Sequence, residues 1–148
     1  MADIVLAPFN PKDEIALSIL LQTSELSTED ITAEMLEHFV IAHAGRHLVG
    51  SAGLEAYGEA GLLRSVAVDE PHQGTGLGKR LVEALEEHAK EAGVRQLYLL
   101  TTTAETFFAG LGYKSVARGE APAAIAATAQ FRELCPSSSA LMVKSLSA

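Results

Sequence analysis

The sequence of 148 residues predicts one α/β domain with a mixed, mostly antiparallel sheet of about seven strands flanked by helices. Three observations carry that expectation. Between residues 39 and 68, three apolar, β-prone segments follow one another through short turns, as in an antiparallel meander. A glycine-rich stretch then opens an amphipathic helix that Gly93 ends just before a buried apolar run, giving one strand–helix–strand crossover. Residues 140–146 alternate apolar and polar side chains, which suits a final strand.

Taken in order, residues 4–9 form a short apolar run stopped by Pro8 and Pro11, read as a first strand and its turn. Residues 12–22 read as a helix with Ile15, Ala16, Ile19 and Leu20 on its apolar face. Ser27 and Thr28, followed by Glu29 and Asp30, read as the N-cap of a second short helix reaching about Met35. The meander strands are expected at 39–44, 48–57 and 62–68. After the glycine loop, Leu77, Leu81, Leu85, His88 and Ala92 fall at helical spacing, and 94–101 is a buried strand. Residues 104–111 read as a short helix ending at Gly112, and 113–117 as a strand. Pro122 begins a helix expected to run over 123–134 until Pro136 breaks it.

The formal net charge is −8 and the basic residues are scattered, so the sequence lacks the basic stripe of a nucleic-acid binder. One cysteine, Cys135, rules out an internal disulfide and is expected to be a small buried hydrophobe. The N-terminal stretch has an early acid and two prolines, unlike a signal peptide, and no apolar run approaches the roughly 20 residues of a membrane span. A cytoplasmic protein with no membrane partner is the expectation. His43 and His47 straddle a turn without a third ligand nearby, His72 and His88 read as structural, and no metal site is expected.

The chemistry is concentrated in residues 71–79, PHQGTGLGK. A glycine-rich turn opening a helix favours an anion, because exposed N–H groups and the helix dipole act together. A Walker loop would need glycine where Gln73 stands and a hydroxyl where Arg80 stands. A dinucleotide loop starting at Gly74 would need glycine where Lys79 stands, and it should follow the first strand of a parallel sheet. The remaining pattern, Gln/Arg-x-x-Gly-x-Gly/Ala, is met by Gln73, Gly76 and Gly78.

On this loop the sequence resembles the GNAT superfamily of acetyl-CoA-dependent N-acetyltransferases, whose corresponding loop grips the pyrophosphate of coenzyme A. The resemblance extends to Ser65-Val66-Ala67-Val68-Asp69 with Pro71, similar to the family's fourth strand and turn, and to FFAGLGY at 107–113, similar to the helix and turn after its fifth strand. It implies acetyl-CoA as cosubstrate and a small-molecule amine as acceptor. The main chain of Gln73, Gly74, Thr75, Gly76, Leu77, Gly78 and Lys79 is then expected to hold the pyrophosphate, with N–H groups from Gln73 to Lys79 facing it. Val66, Ala67 and Val68 are expected to bind pantetheine through their main chain, with a backbone N–H at Val68 or its neighbours facing the thioester.

The family often places an acid tyrosine four residues before the glycine matching Gly112, and here that position is Phe108. The thiolate proton is therefore expected from water or from a hydroxyl of Thr101–Thr103, at least two of which otherwise serve as strand end and helix cap. Thr103 and Phe107 are expected near the cofactor, and Phe108 packs on the cofactor or in the core. Glu55 is the candidate base, sharing a strand face with Tyr57; the alternative is a plain strand carboxylate. Arg64 is an arginine inside the apolar run LLRSVAV. By alternation it shares a face with Val66 and Val68, where it would grip an acceptor carboxylate; the alternative is a structural ion pair.

Two subfamilies share further segments. LLRSVAV, LYLLTTTAETFFAGLGY and AAIAATAQFRELCPSS resemble the arsenic-resistance N-acetyltransferase-like group, which implies an amino-acid-like acceptor, including an arsenic-containing amino acid. LTTTAETFF also resembles the catalytic domain of amino-acid N-acetyltransferases such as N-acetylglutamate synthase. A protein N-acetyltransferase and a non-catalytic acyl-CoA-binding sensor are the other readings. The 123–134 helix is expected either to close over the acceptor or to pack in a homodimer.

Overall fold

The computed structural model describes residues 3–134 and 138–146. In chain order the elements are β1 (Ile4–Pro8), α1 (Glu14–Thr23), α2 (Ala33–Leu36), β2 (Phe39–Ala44), β3 (His47–Tyr57), β4 (Ala60–Val68), α3 (Leu77–Glu91), β5 (Gln96–Thr101), α4 (Glu105–Gly110), β6 (Lys114–Val116), α5 (Ala123–Ala126) and β7 (Ala140–Ser145). The strands pair in the order β1-β2-β3-β4-β5-β7-β6. β4 and β5 run parallel, and the ladders β1–β2, β2–β3, β5–β7 and β6–β7 are antiparallel. The mixed, mostly antiparallel seven-stranded sheet expected from the sequence is therefore present. Its residues cluster in two compact units, one of residues up to Leu54 with Ser65–His88, the other of Glu55–Arg64 with residues from Ala89 on.

In the first unit, α1 packs through Leu17, Leu20 and Leu21 against Phe39, Ile41 and Ala67. This corrects the expected face: Ile15 is 77% and Ile19 60% exposed. Both sets fit a 3.6-residue period, and the choice is made at the helix start. There Asp13 is buried, accepts from the Asn10 N–H at 3.0 Å and pairs with His43 Nε2 at 2.9 Å, which turns the 17–20–21 stripe inward. The second helix is also shorter than expected. Its cap is Thr32, whose hydroxyl accepts from the Met35 N–H at 3.2 Å, and not Ser27 or Thr28.

β3 contains two glycines that let neighbours approach. A Cβ on Gly53 would stand 2.5 Å from the Phe39 ring, and one on Gly50 would stand 2.7 Å from Leu81 Cδ1 on α3. α3 buries Leu77, Leu81, Val82, Leu85 and Ala89. His88 is half-buried and meets His38 Nδ1 through its Nε2 at 2.8 Å, while Ala92 is exposed and lies past the helix.

The second unit begins where α3 ends. Gly93 adopts φ +93°, and the N–H groups of Gly93 and Val94 return to the carbonyls of Lys90 and Ala89, a Schellman cap. The same cap closes α4: Gly112 has φ +101°, its N–H donates to the Ala109 carbonyl and that of Tyr113 to the Phe108 carbonyl. β7 lies between β5 and β6, and Leu97, Leu99, Phe108, Ile125, Leu141 and Met142 are buried.

The helix expected over 123–134 is interrupted. The Thr128 hydroxyl donates to the Ile125 carbonyl at 2.8 Å and accepts from the Phe131 N–H at 3.2 Å, diverting the ladder, and Gln130–Leu134 is a π turn. Arg118 latches that turn by donating to the Phe131 carbonyl at 3.2 Å and the Ser139 carbonyl at 3.1 Å, with its guanidinium 4.3 Å from the Phe131 ring centroid. Cys135 lies outside the described residues.

The close approach at Gly53 makes a prediction. Gly53→Ala is expected to destabilise the protein by about 1–3 kcal/mol by overpacking against Phe39, a fall of roughly 5 °C in the thermal midpoint. An unchanged midpoint would show instead that the Phe39 ring turns aside freely.

Candidate functional site

The glycine stretch forms a tight passage from the end of β4 into α3. Glu70–His72 makes one 3₁₀ turn, closed by the Gln73 N–H on the Glu70 carbonyl at 3.1 Å. The Gln73 side-chain amide then donates to the Val68 carbonyl at 2.9 Å, tying the loop back to the last residue of β4. Gly74 and Gly76 follow at φ +79° and +87°, backbone that other residues adopt only with strain. Thr75 donates its hydroxyl to the His72 carbonyl, and Leu77 is buried, so the loop is anchored on both sides of the glycines. Gly78 is already the second residue of α3.

This geometry changes the donor set expected from the sequence. Gln73 spends both its N–H and its side-chain amide on closing the turn, so the ligand-facing donors start at Gly74 and not at Gln73. The first helical N–H to reach a carbonyl is that of Arg80, on Gly76 at 3.2 Å. The N–H groups from Gly74 to Lys79 precede it at the positive end of a helix of 15 residues. Residues 73–76, Lys79 and Arg80 are exposed.

Beside the loop lies a cleft of about 710 Å³, lined among others by Ile19, Leu20, Arg46, Val68, His72 and Gln73. Arg46, His47, Asp69 and Glu70 bring charge and polarity to its lining. His72 Nδ1 is buried there with no hydrogen-bond partner among the described residues. On β4 the Ala67 side chain is buried, and those of Val66 and Val68 are half-buried.

Glu55, Tyr57 and Arg64 form a second cluster, in the other compact unit. Arg64 Nη1 donates to Glu55 Oε2 at 2.8 Å, with the two side chains 2% and 3% exposed. The Tyr57 hydroxyl donates to Glu55 Oε1, confirming that Glu55 and Tyr57 share a face. Both carboxylate oxygens are thus engaged, and Arg64 makes the structural ion pair in place of an open grip for an acceptor. The alternation argument for Arg64 also fails. Ser65 has φ +54°, so the period of two cannot be carried from Arg64 across to Val66 and Val68.

The aromatic pair of α4 divides its roles. Phe108 is 7% exposed and packs edge-on against Phe107 and Tyr113 at centroid distances of 5.0 and 5.7 Å. It is a core residue, so of its two expected places the core holds and the cofactor contact does not; the exposed ring is Phe107, at 41%. Thr101 caps the turn before α4 by accepting from the Ala104 N–H at 2.9 Å, while Thr103 is exposed. Among the described residues no group of three or more His, Cys, Asp or Glu side chains is placed to hold a metal ion, and His43 is taken by Asp13. No helix among the described residues is long and apolar enough to cross a membrane.

Comparison with known proteins gives this arrangement a family. Over 98 residues, 65% of the chain, it is 30% identical to the amino-acid acetyltransferase of Neisseria meningitidis serogroup A, and the match spans 22% of that relative's length. The fold matches N-acetylglutamate synthase from Neisseria gonorrhoeae complexed with coenzyme A and N-acetyl-glutamate, with a TM-score of 0.87, 20% identity, and coverage of 100% of this chain and 36% of the other. It also matches Rv2747 from Mycobacterium tuberculosis in complex with CoA and NLQ, with a TM-score of 0.81, 22% identity, and coverage of 97% and 99%. The acetyltransferase (GNAT) domain model matches residues 36–115, more than half of the 148 residues, and the chain therefore belongs to the GNAT acetyltransferase domain family.

Proposed function

We propose that this chain transfers an acetyl group from acetyl-CoA to the amine of a small, amino-acid-like acceptor. The loop carries the reading: N–H groups from Gly74 to Lys79 run from the loop into the first turn of a long helix, with positive φ at Gly74 and Gly76. A pyrophosphate fits such a cradle, with Lys79 adding charge. The relatives support the donor and the acceptor class, since their names specify amino-acid acetyltransferases and their structures hold coenzyme A. An arsenic-containing amino acid is one member of that acceptor class, and no observation favours it over the others.

In this mechanism the neutral amine attacks the thioester carbonyl, and negative charge collects on the carbonyl oxygen as the C–N bond forms. Main-chain N–H groups of Val66, Ala67 and Val68 are the donors aimed at pantetheine and at that oxygen, a role that fixed backbone performs without reorganisation. The amine proton leaves to water, since both oxygens of Glu55 are already taken by Arg64 and Tyr57. Collapse breaks the C–S bond, and the thiolate takes its proton from water or from the exposed Thr103 hydroxyl. Phe107 supplies an exposed ring for the cofactor.

A second reading rests on Phe108. Its buried ring stands where the family often has an acid, which favours an acyl-CoA-binding sensor without turnover. Thiol release from acetyl-CoA in the presence of a panel of amino acids decides between them. Amine-dependent release supports the transferase; tight acetyl-CoA binding with no release for any amine supports the sensor.

Two further outcomes test the residue assignments. Gly76→Ala, which forces a side chain onto φ +87°, is expected to raise KM for acetyl-CoA about tenfold while the amine KM holds, read from initial rates. Arg64→Met is expected to cost about 3–5 kcal/mol by leaving Glu55 buried and unpaired, whereas Glu55→Leu with Arg64→Met recovers most of that loss. Denaturant unfolding of the two variants against the wild type measures it, and an Arg64→Met protein of normal stability would return Arg64 to the acceptor.

A further inference from the structure

β4 contains a backbone anomaly. Ser65 holds φ +54° in the interior of a strand, where glycine is the residue that adopts such a value without strain. Only one other non-glycine residue among the described ones has a positive φ, Glu25, and it stands just past the end of α1. A left-handed serine persists when its surroundings fix it. One contact that fixes it is on the neighbouring strand: the Ser51 hydroxyl, fully buried on β3, donates to the Ser65 carbonyl at 2.7 Å.

That hydrogen bond does more than satisfy a carbonyl. The Ser65 C=O and the Val66 N–H belong to one planar peptide, and no described peptide is cis. In a trans peptide the two groups point in opposite directions, so holding the carbonyl towards β3 aims the Val66 N–H away from β3. The ladder on the other flank of β4 covers Ala60–Leu62 only, so that N–H is not used there. We propose that Ser51 is a positioning residue: through the Ser65 carbonyl it aims the Val66 N–H at the carbonyl oxygen of the acyl thioester. The inference rests on the acetyl-CoA reading above and adds to it a residue remote from the cofactor loop.

The contribution is directional and therefore separable from stability. Two inert analogues report it by calorimetry: acetonyl-dethia-CoA, which keeps the acyl carbonyl, and S-ethyl-CoA, which lacks it. The wild type is expected to prefer the first. Ser51→Ala is expected to lose about fivefold to tenfold in affinity for the carbonyl analogue, one neutral hydrogen bond, and nothing for S-ethyl-CoA. Ser65→Gly in the Ser51→Ala background is expected to restore the thermal midpoint, because glycine adopts positive φ freely, yet leave the preference lost, because the peptide is still not aimed. If Ser51→Ala does not fold, the same comparison is made between Ser65→Gly and the double variant.

Equal weakening of both analogues, or a preference that returns together with the midpoint, overturns the proposal and makes Ser51 structural. A wild type that binds both analogues equally overturns it while leaving the acetyl-CoA reading intact. A wild type that binds neither overturns both.

Discussion

The left-handed backbone at Ser65 is the constraint on which the rest of the structure turns, because it lets one strand do two incompatible jobs. Before it, β4 is core: Leu62 and Leu63 are buried and Arg64 is sealed against Glu55. After it, the side chains of Val66 and Val68 are half-buried, and the segment runs on into the cofactor loop. A regular strand would have kept the alternation and with it a fixed division of faces. The kink costs about 1–2 kcal/mol for a residue with a Cβ, comparable to the contribution of one buried hydrogen bond such as that from Ser51.

The loop obeys a related logic. Its open backbone groups are usable because every neighbouring group is already committed: Gln73 to Glu70 and Val68, Thr75 to His72, Leu77 to the core. Donors that face a ligand have to be left over, and here they are left over in an unbroken run ahead of Arg80. The Glu55–Arg64 pair is the opposite case. Each group satisfies the other, and such a pair orients what touches it without itself offering an open charge.

The sequence was most legible where chemistry is local. The spacing of Gln73, Gly76 and Gly78 identified the loop because turns and helix starts are decided within a few residues. The strand boundaries followed from runs and turn residues in the same way. What stayed hidden depended on partners distant in sequence. The inward face of α1 was set by Asp13 meeting His43 on β2, and nothing within residues 12–22 records that. Ser65 carries no mark of its left-handed φ, since a contact that holds it comes from Ser51, fourteen residues away. Arg64 looked like a ligand grip because Glu55, its partner, lies nine residues away across a hairpin. Thr128 broke a stretch of good helix formers through one hydroxyl.

The tie from the Gln73 amide to the Val68 carbonyl has a kinetic meaning. A glycine loop that closed on its ligand would freeze several backbone torsions at the moment of binding, each worth about 1–2 kcal/mol. Here the sheet itself holds the loop's entry, so most of that ordering is done when the chain folds. The ligand therefore meets a finished cradle, and its arrival is governed by diffusion and charge while its departure is governed by contacts. On the proposed function, the tie at Gln73 therefore leaves fewer torsions to be ordered when the pyrophosphate arrives.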